Sequence, residues 1–182
     1  MVEEIEVPLE DAQETTMHHA EHSGARWVSW VALSSAILAA LAAITSLLAG
    51  HNANEAMIEQ IEASNRWSYY QAKSIKASVT TSKIDLFGAL GKAVPEADQK
   101  KLEDYHQQME EIQKQAEEKQ VSAEAHMQRH QVYARGVTMF QVAIAVAAIS
   151  ALTRKRRFWL VGLGFGLVGT VFLIQGLFMH AG

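Results

Sequence analysis

Hydrophobic and polar positions are segregated along this chain rather than interleaved. Trp27–Ala49, Gly136–Thr153 and Phe158–Met179 contain no Asp, Glu, Lys or Arg. A hydrocarbon layer of about 30 Å needs roughly 20 apolar helical residues, and the first and third stretches meet that length. The second is shorter and suits a thin or untilted crossing. A buried soluble helix is its alternative. The third stretch, however, follows after only Arg154–Arg157, so a tight helical hairpin has to re-enter the bilayer. The first stretch begins behind an acidic leader and is too long for the apolar core of a signal peptide.

The polar segment 51–135 predicts two long helices, about 53–91 and 96–135. Gly88, Gly91 and Pro95 cluster between them, and a proline at an early helical position followed by acids marks a new start. Each helix carries a seam at 3-4 spacing. The first runs Ile58, Ile61, Asn65, Ser68, Ala72, Ile75, Val79, Ser82, Leu86. The second runs Leu102, Tyr105, Met109, Ile112, Ala116, Lys119, Ala123, His126, His130, Tyr133 and continues in phase into Val137 and Phe140. Folding back at 92–95 predicts an antiparallel, coiled-coil-like hairpin with arms of about 60 Å. In that register residue 61 falls near 126. Trp67, Tyr70, Phe87 and Leu90 lie off the first seam. Two apolar faces on one helix call for a second partner, and another copy of the chain is the simplest.

The expected fold class is therefore all-α: three transmembrane helices and a hairpin projecting from the membrane. The expected divisions are an acidic leader 1–26, spans at 27–50, 136–153 and 158–182 (the last with a short C-terminus), the hairpin 51–135, and a basic turn 154–157.

The 16 basic and 20 acidic side chains all lie outside the apolar stretches. Arg26 and Arg154–Arg157 place one side of the membrane in the cytoplasm. Arg66, Lys119, Arg129 and Arg135 nearly balance them on the other side, but segments longer than about 60 residues translocate largely regardless of charge. The N-terminus is expected inside, with segment 51–135 and the C-terminus outside. A net charge of −4 gives no reason to expect nucleic acid. The chain has no cysteine, which excludes disulfides, thiolate nucleophiles and cysteine-ligated zinc.

Gly164-Phe165-Gly166-Leu167-Val168-Gly169 matches G-x-G-x-x-G. It lies inside an apolar span with no preceding strand and no distant acid, so it is no dinucleotide site. The useful pattern is small-xxx-small: Gly162, Gly166, Thr170; Ala143, Ala147, Ala151; and Ser35, Ala39, Ala43. Such stripes let helices approach closely in lipid, within one copy or between copies. Gln141 and Gln175 lie near the outer ends of spans two and three, where a mutual hydrogen bond or a polar pore lining is expected of them. No Asp, Glu, Lys, Arg or His interrupts a span, which argues against an ion-coupled carrier.

The eight histidines include two i, i+4 pairs, His18 with His22 and His126 with His130. Either spacing suits a divalent metal. His126 and His130, with His51 and His180, could also form a metal or pH-sensing ring at the outer interface, and the plainer reading of the histidines is solvated, interfacial or seam side chains. No nucleophile–base pair, phosphate loop or carboxylate pair stands out, so neither an enzyme nor a cofactor other than such a metal is expected.

The segment Ser64-Asn65-Arg66-Trp67-Ser68-Tyr69-Tyr70-Gln71-Ala72-Lys73-Ser74-Ile75-Lys76, following a span that ends near His51-Asn52, resembles a family of bacterial membrane proteins, domain-of-unknown-function family 4337. The similarity covers nearly the whole chain, and Trp67 to Lys73 is its most specific piece. It implies a bacterial membrane location and carries no catalytic residues. Trp67, Tyr70 and Lys73 are neighbours on one helical face, suited either to packing on the second arm or to anchoring a partner.

The reading at this point is a non-enzymatic, homo-oligomeric protein of the bacterial inner membrane. It would act as a scaffold, an accessory subunit or a pore. Assembly would run through Trp67, Tyr70 and Lys73 and through Gly162, Gly166, Ala143 and Ala147, with another membrane subunit as a further partner. The alternative from another class is a histidine-based metal, pH or ligand sensor working with a partner. A reporter fused at Gly182 should be active only when it works outside the cytoplasm. Activity of a cytoplasm-only reporter there would reverse the orientation.

Overall fold

The computed structural model describes residues 26–179. Among them are three α-helices and no strand: α1 (Arg26–Ala89), α2 (Glu96–Thr153) and α3 (Arg156–Phe178). Helix α1 runs without a break through Gly50–Asn52, where a boundary between a span and a separate arm is expected from the sequence. Asn52, nearly buried, donates its amide to the Leu48 carbonyl one turn back, at 2.9 Å. Its polar group is thereby satisfied inside the helix.

The chain divides into two units. One holds the described residues up to Ala53 and from Met127 onward. Here α1, α2 and α3 pack together, and each is long and apolar enough to cross a membrane. Helix α1 contributes Val28, Val31, Ser35, Leu38, Ala42, Thr45 and Ala49, a buried series at 3-4 spacing. Leu38 and Ala42 meet Phe140, Ala143 and Ile144 of α2, while Val31 meets Ala147 and Ala151. Ala49, Tyr133 and Leu173 form a third cluster. Of the stripe expected on α1, Ser35 is buried, Ala39 is half-buried and Ala43 is exposed.

The buried residues of α3 are Gly162, Gly166, Gly169, Leu173 and Gly176. Four glycines on one face leave a channel in the helix surface, and neighbouring groups fill it. A methyl group at Gly162 would sit 3.0 Å from the Ala143 carbonyl oxygen. At Gly166 it would meet Leu38, at Gly169 the Phe140 ring, and at Gly176 the Tyr133 ring. Gly136 lies where all three helices converge: a methyl group there would sit 3.4 Å from Thr45, Phe172 and the Gly169 carbonyl oxygen. Of the expected stripe, Gly162 and Gly166 are buried against α2 and α1. Thr170 is only half-buried and returns its hydroxyl to the Gly166 carbonyl at 2.9 Å.

The α2–α3 turn is two residues long. Arg154 takes a left-handed conformation (φ 53°) and Lys155 an extended one. Buried Ser150 donates to the Lys155 carbonyl at 3.0 Å, which holds the turn against the end of α2.

The second unit is Asn54–His126. Helix α1 ends with the Phe87 carbonyl accepting from Lys92 N–H and the Gly88 carbonyl from Gly91 N–H, both at 3.0 Å. Gly91 supplies the left-handed φ of 64° that this double closure requires. Helix α2 starts after Pro95, whose carbonyl accepts from Asp98 N–H, with Glu96 and Asp98 in the first turn.

On α2 the buried and half-buried residues coincide with the expected seam, Leu102, Tyr105, Met109, Ile112, Ala116, Lys119 and Ala123 among them. On α1 they do not. Ile58, Ile61, Asn65, Ser68, Ala72, Ile75, Val79, Ser82 and Leu86 are all exposed. The covered face is Ala56, Ala63, Trp67, Tyr70, Ala77, Thr80 and Phe87. Small side chains interspersed with a few rings leave room for the bulkier α2 seam, which the aliphatic face of α1 could not accommodate as closely.

Substitutions on α3 separate these roles. Nothing lies within 4 Å of a methyl group at Gly164, so Gly164→Ala should raise Tm through helix propensity alone, worth about 1 kcal/mol. Gly169→Ala and Gly176→Ala should lower it, since overpacking against a buried ring costs about 1–3 kcal/mol. Thermal unfolding in detergent, followed by circular dichroism, checks the opposite signs.

Candidate functional site

Three polar constellations stand out against the apolar packing. The first links α1 and α2 within the Asn54–His126 unit. Lys119, one turn beyond Ala116, extends its ammonium between two carboxylates of α1. It lies 2.8 Å from Glu62 Oε2 and 3.0 Å from Glu59 Oε2, and donates to Glu59 Oε1 at 3.2 Å. The Lys119 hydrogen bond, and then its charge, holds the Glu62 carboxyl below its ordinary 4.5. The hydrogen bonds to Glu62 and Glu59 in turn raise the Lys119 ammonium above its ordinary 10.5. Lys83 and Asp98 form a second pair at 2.6 Å beside the interhelical turn.

Between these pairs lie the residues of the most specific sequence segment. The Trp67 and Tyr70 rings meet edge-to-face with centroids 5.6 Å apart, and both are half-buried. The Lys73 ammonium lies 5.3 Å from the Tyr69 ring centre and 5.5 Å from that of Tyr105 on α2. This group is engaged in joining α1 to α2. The outward-facing surface of α1 is the aliphatic stripe instead.

The contact register also relocates the histidines. Residues 59 and 62 meet 119, whereas the expected register set 61 near 126. The reversal is placed by the left-handed Gly91, so the non-helical 92–95 stretch lies on the α2 side and α2 is offset relative to α1. His130 accordingly reaches Ala49: its Nδ1–H donates to the Ala49 carbonyl at 2.9 Å. His126 and His130 are half-buried, and His51 is exposed. Among the described residues no group of three or more His, Asp or Glu side chains is arranged to hold a metal. His18 and His22, and His180, lie outside the described residues.

The third constellation is in the three-helix unit. Gln141 lines a groove of about 260 Å³ between α1 and α2, with Ala39, Ala42, Ala43, Ser46, Val137 and Ile144. Gln175 is exposed on α3, and no hydrogen bond joins the two glutamines among the described residues. Ala143 and Ala147 are fully buried and lie against Gly162, and Gly166 is closed by Leu38. These small residues serve contacts within the chain. At the other end of the unit Trp159 Nε1–H donates to Ser34 Oγ at 3.0 Å, and the Ser34 hydroxyl in turn donates a hydrogen bond to the Val31 carbonyl at 2.9 Å. The Arg156 guanidinium lies 5.5 Å from the Trp27 ring centre. Sequence reasoning missed that Trp27 and Trp159 tie α1 to α3, because a ring N–H bonded to a serine on another helix leaves no periodic signal.

A protein-family model described as "Domain of unknown function (DUF4337)" matches residues 27–179. No curated protein and no solved structure matches the chain. The match covers all three helices, and the chain belongs to that family.

The Lys119 cluster makes a prediction about pH. Glu62 is depressed, so its contribution is complete above its ordinary 4.5 and is lost as pH falls through the lowered folded value. Lys119 is raised, so its contribution is complete below 10.5 and is lost as pH rises through the elevated value. The Tm difference between wild type and Glu62→Gln should hold at neutral pH and close in acid. Thermal scans of the two proteins across pH check this, and a difference that persists in acid would contradict it.

Proposed function

We propose that this member of the family is a non-enzymatic, multi-pass membrane protein that works as an assembled scaffold or accessory subunit. The observation that carries the reading is the outward surface of the three-helix unit. Leu47, Leu167 and Phe178 are about 70% exposed, and Leu160 and Val171 more than half exposed, on helices whose apolar stretches hold no charge. Contiguous apolar surface on this scale is costly in water and is what a bilayer requires of its proteins.

The finer parts of the reading follow from charge and contact register. Arg154 and Lys155 in the two-residue turn and Arg156 and Arg157 at the start of α3 suit the cytoplasmic face of a bacterial inner membrane, with the N-terminus inside and the C-terminus outside. The 54–126 unit carries most of the charge and stays out of the hydrocarbon. Residues 62, 73 and 83 of α1 meet 119, 105 and 98 of α2 in falling order, which supports an antiparallel, coiled-coil-like hairpin. Such a hairpin offers a rigid surface and no catalytic constellation, which suits organising other proteins or other copies.

Two measurements on native membranes test this. Alkaline carbonate washing should leave the protein in the pellet, and release into the supernatant would contradict the membrane reading. Native mass spectrometry of protein released with minimal delipidation should give a homo-oligomer. A monomer carrying a divalent metal would contradict the scaffold and support a histidine sensor.

A further inference from the structure

We propose that the outward face of α1 between Ile58 and Leu86 is a homodimer seam, on which α1 of a second copy packs in parallel and in register. The parallel orientation rests on the membrane reading, since two copies inserted the same way in one bilayer present α1 in the same direction. The face itself is independent of that reading. Its inner counterpart is already covered by α2, whereas Ile75 is 66% and Val79 64% exposed.

The spacing identifies the kind of partner. Exposed residues recur at alternating steps of three and four for about four heptads, the repeat that one helix presents to another. A lipid or a globular partner imposes no such repeat. In heptad terms Ile58, Asn65 and Val79 occupy a positions, and Ile61 and Ile75 occupy d positions.

The polar layers identify the partner as a second copy. Isoleucine at both a and d by itself favours three or four strands, and one asparagine at a is what fixes register and copy number. The Asn65 amide has no hydrogen-bond partner among the described residues. Only a parallel, in-register copy sets it against another Asn65. A shifted or unrelated apolar helix would leave it facing aliphatic carbon. Ser68 and Ser82, at d, already donate to the Ser64 and Ser78 carbonyls at 3.0 Å, so both can be covered with their hydroxyls satisfied.

The flanks are compatible. In a parallel pair Lys76 and Lys83 face Gln71 and Ser78 of the other copy, so no like charges meet. Glu62 is neutralised by Lys119, and Lys83 by Asp98, within each copy.

The absence of native cysteine makes the test clean. Ile61→Cys and Ile75→Cys, each introduced singly into the full chain in native membranes, should give a disulfide-linked dimer under mild oxidation. Gln108→Cys, on an exposed position of α2, should give none. Asn65→Ile should broaden a single dimer mass into higher-order species. Both side chains are exposed in one copy, so the variants should keep the helicity and Tm of a single copy. Cross-linking at Ile61→Cys and Ile75→Cys no greater than at Gln108→Cys would overturn the seam. Carbonate extraction of the same membranes keeps the two ideas apart. A pelleted but uncross-linked protein overturns the seam alone, and a cross-linked but extracted protein overturns the membrane reading alone.

Discussion

The structure depends on what α3 lacks. In the proposed membrane setting the helices gain nothing from burying apolar side chains against one another, because lipid tails are as apolar as leucine. Close approach, dispersion contacts and a few hydrogen bonds have to suffice. The glycine face of α3 provides the approach, drawing Gly162 onto the Ala143 carbonyl and receiving the Phe140 and Tyr133 rings. Side chains of ordinary size along that face would push the helices apart. The hydrogen bond at the basic end from Trp159 to Ser34 could not form at the larger separation.

Helix α1 solves a different problem with the same device. Within the three-helix unit its buried series runs at 3-4 spacing from Val28 to Ala49, and within the other unit a face of Ala56, Ala63 and Ala77 lies against α2. Small residues bury little area, so packing alone holds these contacts weakly. Directional contacts do the aligning: Lys119 with Glu59 and Glu62, Lys83 with Asp98, and Lys73 over Tyr105. They fix the rotation of α1 and so decide which face is turned outward.

That rotation is what the sequence could not disclose. Both faces of α1 are apolar at 3-4 spacing, and periodicity gives the spacing of a seam without saying which seam meets the neighbour. The aliphatic face looked like the inner one because Ile and Val are usually buried. The alanine face is the covered one, and its small side chains leave room for the bulkier seam of α2. Helix α2, with one apolar face, was legible throughout. The breaks at Gly91 and Pro95, the three apolar helices and the small residues of α2 and α3 were legible too, since each is a local signal. Gly169 and Gly176 were passed over in favour of Thr170 because a search at strict four-residue spacing drifts off a face that repeats at 3.5. The histidines were misplaced by the same kind of cause, a register counted from the wrong residue of the turn. Gln141 and Gln175 share a depth along their helices but not a direction, and depth is all that a linear count supplies.

These points meet in the proposal that α1, one helix over Arg26–Ala89, begins in lipid, leaves it near Asn52, and beyond that point is covered by α2 on one face and by a second copy on the other. A nitroxide scan along α1, with side-chain mobility and access to oxygen and to a water-soluble nickel complex recorded at each position, tests it most directly. The account predicts preferential access to oxygen at lipid-facing positions up to Ala49 and to nickel at exposed positions after it. It also predicts two immobile faces between Ala56 and Leu86, one centred on Ala63 and Ala77 and the other on Ile61 and Ile75. Free motion at Ile61 and Ile75, or nickel access at exposed positions before Ala49, would contradict it.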